Sequence, residues 1–131
     1  MHMLENHMKQ LAEELELENS MTSETSGIYV FPLDQDIKIY ISSIPQGIYF
    51  ECAVAPCPTT KQEELFTQLL LANLFGQGTR GAILGLSEDN KSIKLTQILE
   101  NKEDYQLFKN NLEDFVNSVD FWSEETLTYS K

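Results

Sequence analysis

The hydrophobic pattern of this chain switches between two periods, and each switch marks an element. Leu4, Met8, Leu11 and Leu15 recur at spacings of four, three and four, the stripe of an amphipathic helix. Glu5, Glu13, Glu14, Glu16 and Glu18 occupy much of its remaining circumference. The run ENSMTSETSG from Glu18 to Gly27 is polar and reads as a loop. Period two then takes over in Gly27 to Leu33, Ile37 to Ile41 and Gly47 to Val54. The first two strands flank a short turn at Asp34-Gln35-Asp36, and Ser42 to Gln46, containing Pro45, leads into the third.

Alternation sorts these strands into two faces. One carries Ile28, Val30, Ile37, Ile39, Ile41, Ile48, Phe50, Cys52 and Val54 and is expected to be core. The other carries Tyr29, Phe31, Leu33, Lys38, Tyr40, Tyr49 and Glu51. Aromatic bodies with polar tips suit a surface that buries apolar area while keeping hydroxyls accessible. They suit equally well a layer beneath another helix with hydroxyls at its rim.

The densest apolar stretch follows Pro56 and Pro58. Thr60 with Glu63 fits a capping box, so a helix is expected from about Lys61. Between Leu65 and Phe75 only Thr67, Gln68 and Asn73 interrupt the apolar positions, which therefore point in almost every direction. A helix apolar all round belongs in the core of a large protein, in a membrane or at an interface. The chain is too short for the first, and the run is too short and too acidic at its flanks for the second. We therefore expect one face to pack on the chain's own sheet and Leu71, Leu74 and Phe75 to meet a second subunit.

Gly76 and Gly78 mark the end of that helix. Ala82 to Leu86 and Ser92 to Leu99 read as a hairpin across Ser87 to Lys91. Asn101 and Asp104 can cap a last helix carrying Tyr105, Phe108, Leu112, Phe115, Val116 and Val119 and ending near Phe121 and Trp122. A flexible tail is expected over residues 123–131. The order is α-β-β-β-α-β-β-α, and short connections between strands imply antiparallel pairing, hence an α+β domain. At 131 residues it reads as one domain over 1–131, with Met1 and His2 a candidate remnant ahead of a second start at Met3.

Charge narrows the function classes. Lys and Arg total 9 against 21 Asp and Glu, a net charge of −12. That balance repels phosphate backbones and anionic lipid, so neither nucleic-acid binding nor membrane insertion is expected. With no apolar signal core and no run approaching a spanning helix, a cytoplasmic protein is expected.

Catalytic and cofactor signals are weak. Cys52 and Cys57 lack companion ligands for a metal and read as reduced structural thiols. Gly76-Gln77-Gly78-Thr79-Arg80-Gly81 satisfies G-x-G-x-x-G, but it follows a helix and precedes a strand. A phosphate there would face helix C-terminal carbonyls instead of N-terminal donors, so the match is fortuitous. No phosphate loop supports ATP use, and His2 and His7 lie on the first helix near a terminus, a poor place for a rigidly held base. No catalytic residue, cofactor or metal is expected, and the chain does not read as an enzyme.

The block Leu70-Leu71-Ala72-Asn73-Leu74-Phe75-Gly76-Gln77-Gly78-Thr79, followed by Gly81-Ala82-Ile83-Leu84-Gly85-Leu86 and an acidic tip at Glu88 and Asp89, resembles the class I chaperones of bacterial type III secretion systems. The resemblance extends in element order over nearly the whole chain. It implies a small dimer, homodimeric or paired with a related chaperone, with a twisted antiparallel sheet flanked by helices. It further implies binding of an N-terminal segment of a secreted effector or export-gate protein, held extended for export without ATP hydrolysis. The second helix would contribute to dimerisation, and the client would fill apolar patches near the first helix and the sheet, often adding a strand. The candidate client surface joins Leu11 and Leu15 to Tyr29, Phe31, Tyr40 and Tyr49. An alternative is an acidic regulatory or inhibitory module that binds a folded protein partner.

Overall fold

The computed structural model describes residues 2–16, 27–33, 37–75, 82–100 and 104–129. The expected polar loop beyond Leu17, the Asp34-Gln35-Asp36 turn, the glycine turn from Gly76 to Gly81, the Asn101 cap and the side chain of Phe75 lie outside the described residues. The elements are α1 (His2–Glu14), β1 (Ile28–Pro32), β2 (Lys38–Ile44), β3 (Gly47–Pro56), α2 (Gln62–Phe75), β4 (Ile83–Leu86), β5 (Ser92–Glu100) and α3 (Tyr105–Leu127). The five strands form one antiparallel sheet in the order β1-β2-β3-β5-β4. The domain is α+β, as its pattern of strand runs and amphipathic helices requires.

One face of the sheet is sealed by helices. Ile39, Ile41, Ile48, Phe50 and Cys52 are buried there with Leu95 and Leu99 of β5. Phe50 meets the rings of Phe108 and Phe115 at centroid distances of 6.0 and 5.3 Å, which seats α3 on β3. His7 stacks on Phe108 at 5.0 Å and so brings α1 alongside α3, burying Leu4, Met8 and Leu11. The Asp104 carboxylate accepts from the Leu107 N–H, the expected cap at the start of α3.

Pairing overturns the expected facing of β1. Tyr29 lies opposite Ile41 and Phe31 opposite Ile39, and directly opposed residues of an antiparallel pair share a face. Tyr29, Phe31 and Leu33 therefore lie on the helix-covered side, half-buried against the core. Ile28 and Val30 join Ser42 and Tyr40 on the opposite side. Two further expectations are corrected. β2 continues through Ser42, Ser43 and Ile44 because these pair with Tyr49, Ile48 and Gly47, leaving only Pro45-Gln46 as the turn. α3 continues to Leu127, past the expected end near Trp122, since Trp122 and Thr126 are both buried.

The capping box at Thr60 does not form. The Thr60 hydroxyl instead donates to the Tyr129 carbonyl at 2.7 Å, and Lys61 takes a φ of 54° before α2 begins at Gln62. With Lys61 directly before the first helical residue and its carbonyl accepting from the Leu65 N–H, Thr60 stands one position too early to cap α2.

Gly47, after the Pro45-Gln46 turn, has a φ of 149°, and a Cβ there would collide with the backbone carbonyl of Leu99 on β5. Only glycine lets β3 approach β5 this closely. Gly47→Ala is expected to lower unfolding free energy by at least about 2 kcal/mol in urea titrations. A change within experimental error would show that the β3–β5 approach can relax.

Candidate functional site

Among the described residues, three exposed surfaces carry the side chains expected to form a site. The first is a ridge on α2. Leu65 and Leu69 are buried in the core, whereas Leu70 is 69% and Leu74 74% exposed, with Leu71 exposed beside them. Ile83 and Leu86 on the adjoining edge strand β4 are also exposed. The expected division of α2 into an inward and an outward side is thus present, with Leu70 added to Leu71 and Leu74. Leu70 sits in an unbroken apolar run, so the sequence alone could not say to which side it turns.

Asn73 belongs to the same helix but has a different task. Its side-chain Nδ2 donates to the Leu84 carbonyl at 2.8 Å, and its Oδ1 accepts from the Leu84 N–H at 2.8 Å. This amide fixes α2 to β4 and so fixes the ridge.

The second surface is the corner between α1 and β1. Leu15 is exposed just beyond the last turn of α1, and Tyr29 and Phe31 are half-buried at the sheet edge. Burial first, and then the Glu5 carboxylate, push the Tyr29 hydroxyl above its ordinary value. Leu11 is fully committed to the core and offers nothing to a ligand.

The third is the open face of the sheet. Tyr40 and Tyr49 lie here, on the side away from α1 and α3, with Ile98 and Thr96 of β5. Tyr40 is 44% and Ile98 52% exposed. The six residues proposed from the sequence as one client patch are therefore split: Tyr29 and Phe31 on the helix side of β1, Leu15 just past the end of α1, Tyr40 and Tyr49 on the opposite face, and Leu11 inside. An ion pair between Lys94 and Glu51 crosses this open face.

A polar tie braces the α1 side. The Tyr105 hydroxyl donates to Glu14 Oε2 at 2.9 Å, and Lys109 Nζ pairs with the same oxygen at 2.8 Å. Hydrogen bonds from Lys109 and then Tyr105 hold the Glu14 carboxyl below its ordinary 4.5. Partial burial first, and Glu14 second, push the Tyr105 hydroxyl up to about 12. Among the described residues no group of three or more His, Cys, Asp or Glu side chains could hold a metal ion, and no helix is long and apolar enough to cross a membrane. What these surfaces offer chemically is apolar area and backbone edges, which bind polypeptide.

Comparison with known proteins agrees with this character. The family model described as the Tir chaperone protein (CesT) family matches residues 6–123. A Chlamydia pneumoniae protein, CPj0713/CpB0740, is 24% identical over 122 residues, covering 92% of this chain and 93% of its own length. Among solved structures, the ExsC-ExsE complex is similar with a TM-score of 0.77 at 15% identity, covering 92% of this chain and 91% of that one. The HopA1-SchA chaperone-effector complex is similar at 0.71 and 16%, covering 94% of each chain. The Yersinia pestis type III secretion chaperone SycH, bound to a fragment of YscM2, is similar at 0.65 and 18%, covering 95% and 98%.

The α1 tie sets a pH dependence. A phenol raised from 10.0 to about 12 contributes stability that is present below pH 10.0 and lost as pH rises towards 12. A carboxyl lowered from 4.5 contributes stability that is present above pH 4.5 and lost as pH falls below it. Tyr105→Phe is expected to reduce the alkaline fall in melting temperature, the remainder coming from Tyr29, and to reduce the acid fall. A difference from wild type that is constant across both windows would show that the tie contributes nothing in solution.

Proposed function

Because the chain belongs to the Tir chaperone protein (CesT) family, we propose that it is a bacterial type III secretion chaperone. It binds an N-terminal segment of a secreted effector or export-gate protein, keeps it extended and competent for export, and uses binding energy alone, without ATP. It acts in the cytoplasm as a dimer of identical or related subunits.

The observation that carries this reading is the α1–β1 corner. β1 is an edge strand, and its own Tyr29 and Phe31 supply half-buried apolar area on the helix side of that edge. An extended segment laid along such an edge gains main-chain hydrogen bonds that demand little of its sequence, while alternate side chains fill the corner. While it lies there it cannot bury its own apolar residues in a fold of its own. The ordering entropy is met by a long wrapped contact instead of a nucleotide cycle. The similar HopA1-SchA structure is described as a chaperone-effector complex, which supports the same role here.

Dimerisation follows from the α2 ridge on magnitude. Complete burial of a large aliphatic side chain is worth roughly 1.5 to 3 kcal/mol, and a two-fold contact counts Leu70, Leu71, Leu74 and Leu86 once in each subunit. That exceeds the estimated association cost of about 4 to 15 kcal/mol only if most of the ridge is covered. A second chain with the same ridge meets that condition.

Two measurements test the proposal. Leu74→Asp is expected to shift the light-scattering mass from two chains to one, or to leave the chain insoluble; an unchanged dimer would place the interface elsewhere. Partners retained from the native cell are to be identified by mass spectrometry and the N-terminal segment of the secreted one rebound to purified chain. Phe31→Ser is expected to abolish that binding and Tyr40→Ser to preserve it, with little dependence on salt. Loss through Tyr40→Ser alone would move the client to the open sheet face. Salt-sensitive binding of a folded partner, with no peptide bound, would replace the chaperone reading by that of an acidic regulatory module.

A further inference from the structure

The β4 edge of the sheet is closed by a side chain from outside it. We propose that Asn73 shuts this edge against any incoming strand. The inference rests on the reading of the chain as a binder of extended segments for its biological meaning, but the closure itself is a property of this chain alone.

A joining antiparallel strand exchanges N–H and C=O pairs with every second residue of the edge it meets. β4 has four residues, and Ile83, Leu84, Gly85 and Leu86 pair in register with Thr96, Leu95, Lys94 and Ile93 of β5. Backbone groups alternate in direction along a strand. The Asn73 amide takes both groups of Leu84 from outside the sheet, so Leu84 and Leu86 point outward while Ile83 and Gly85 point to β5. The Ser87 N–H donates to the Ser92 carbonyl of β5, which agrees with that alternation. Only two residues of β4 could receive a partner strand, and Asn73 already satisfies one of them as a backbone would, with one donor and one acceptor. A single remaining pair does not hold a strand in water.

The apolar surroundings make such a closure necessary. The β4 edge lies next to the exposed leucines of α2, and an open edge beside an apolar surface invites pairing with other chains. A side-chain amide leaves the leucines free for side-chain packing while withholding the backbone. The same amide explains why a polar residue interrupts the apolar run of α2 at this position.

The test uses the full chain and two variants, Asn73→Leu, which keeps the volume but removes both bonds, and Asn73→Asp, which keeps the acceptor but loses the donor. Far-UV circular dichroism establishes that each variant is folded; should Asn73→Leu fail to fold, Asn73→Asp carries the same measurements. Hydrogen exchange at the Leu84 amide is expected to accelerate at least about tenfold in Asn73→Leu and less in Asn73→Asp. Light scattering over a concentration series is expected to show species above the wild-type mass only in the variants. Unchanged exchange at Leu84, or faster exchange with the wild-type mass at every concentration, overturns the proposal. Neither measurement involves a client, so failure of the client-binding reading would appear in the Phe31→Ser experiment and not here.

Discussion

The architecture depends on a chain of ring contacts that runs through the core from His7 to Phe108, on to Phe50 and from there to Phe115. Phe50 sits on a strand flanked on both sides by others, so it is the fixed member, and the two phenylalanines of α3 close over it. Offset and edge-to-face contacts of this kind have preferred geometries, which makes the placement of α3 specific as well as favourable. α1 has no such strand partner; it is positioned through α3. The buried stripes of α1 and α3 are thereby spent on one side of the sheet. What is left uncovered is the α1–β1 corner, the tyrosine-bearing face and the outer side of α2.

α2 shows how one helix can serve two requirements. Leu65 and Leu69 belong to the core, Leu70, Leu71 and Leu74 do not, and Asn73 between them joins the helix to an edge strand. The net charge of −12 makes like copies repel one another and so discourages unspecific association through these apolar areas.

Much of this was legible in the sequence, because the elements are long and their periods distinct. The helix stripes of Leu4, Met8 and Leu11 and of Phe108, Leu112 and Phe115 mark the buried sides correctly, and the strand alternation of Ile39 and Ile41 does the same. β1 was not legible. Ile28 and Val30 are as apolar as Tyr29 and Phe31, so alternation separates two faces without saying which is inward; the pairing with β2 decides, and pairing is a long-range fact. The same holds for Thr60, whose hydroxyl donates to the carbonyl of Tyr129, and for Ser42 and Ser43, whose polarity suggests a loop until Tyr49 and Ile48 are seen opposite. The candidate client residues inherited the β1 ambiguity directly, which is why Tyr29 and Phe31 fall on the opposite side of the sheet from Tyr40 and Tyr49.

The bond between Glu14 and Tyr105 joins positions 91 residues apart, and the stack of His7 on Phe108 spans a similar distance. During synthesis the first helix therefore leaves the ribosome long before the helix that receives it. Throughout that interval Leu4, Met8 and Leu11 have nowhere of their own to go. Vectorial production thus gives this chain a period in which its own greasy stripe is exposed, and it is rescued only when α3, made after every other described element, arrives.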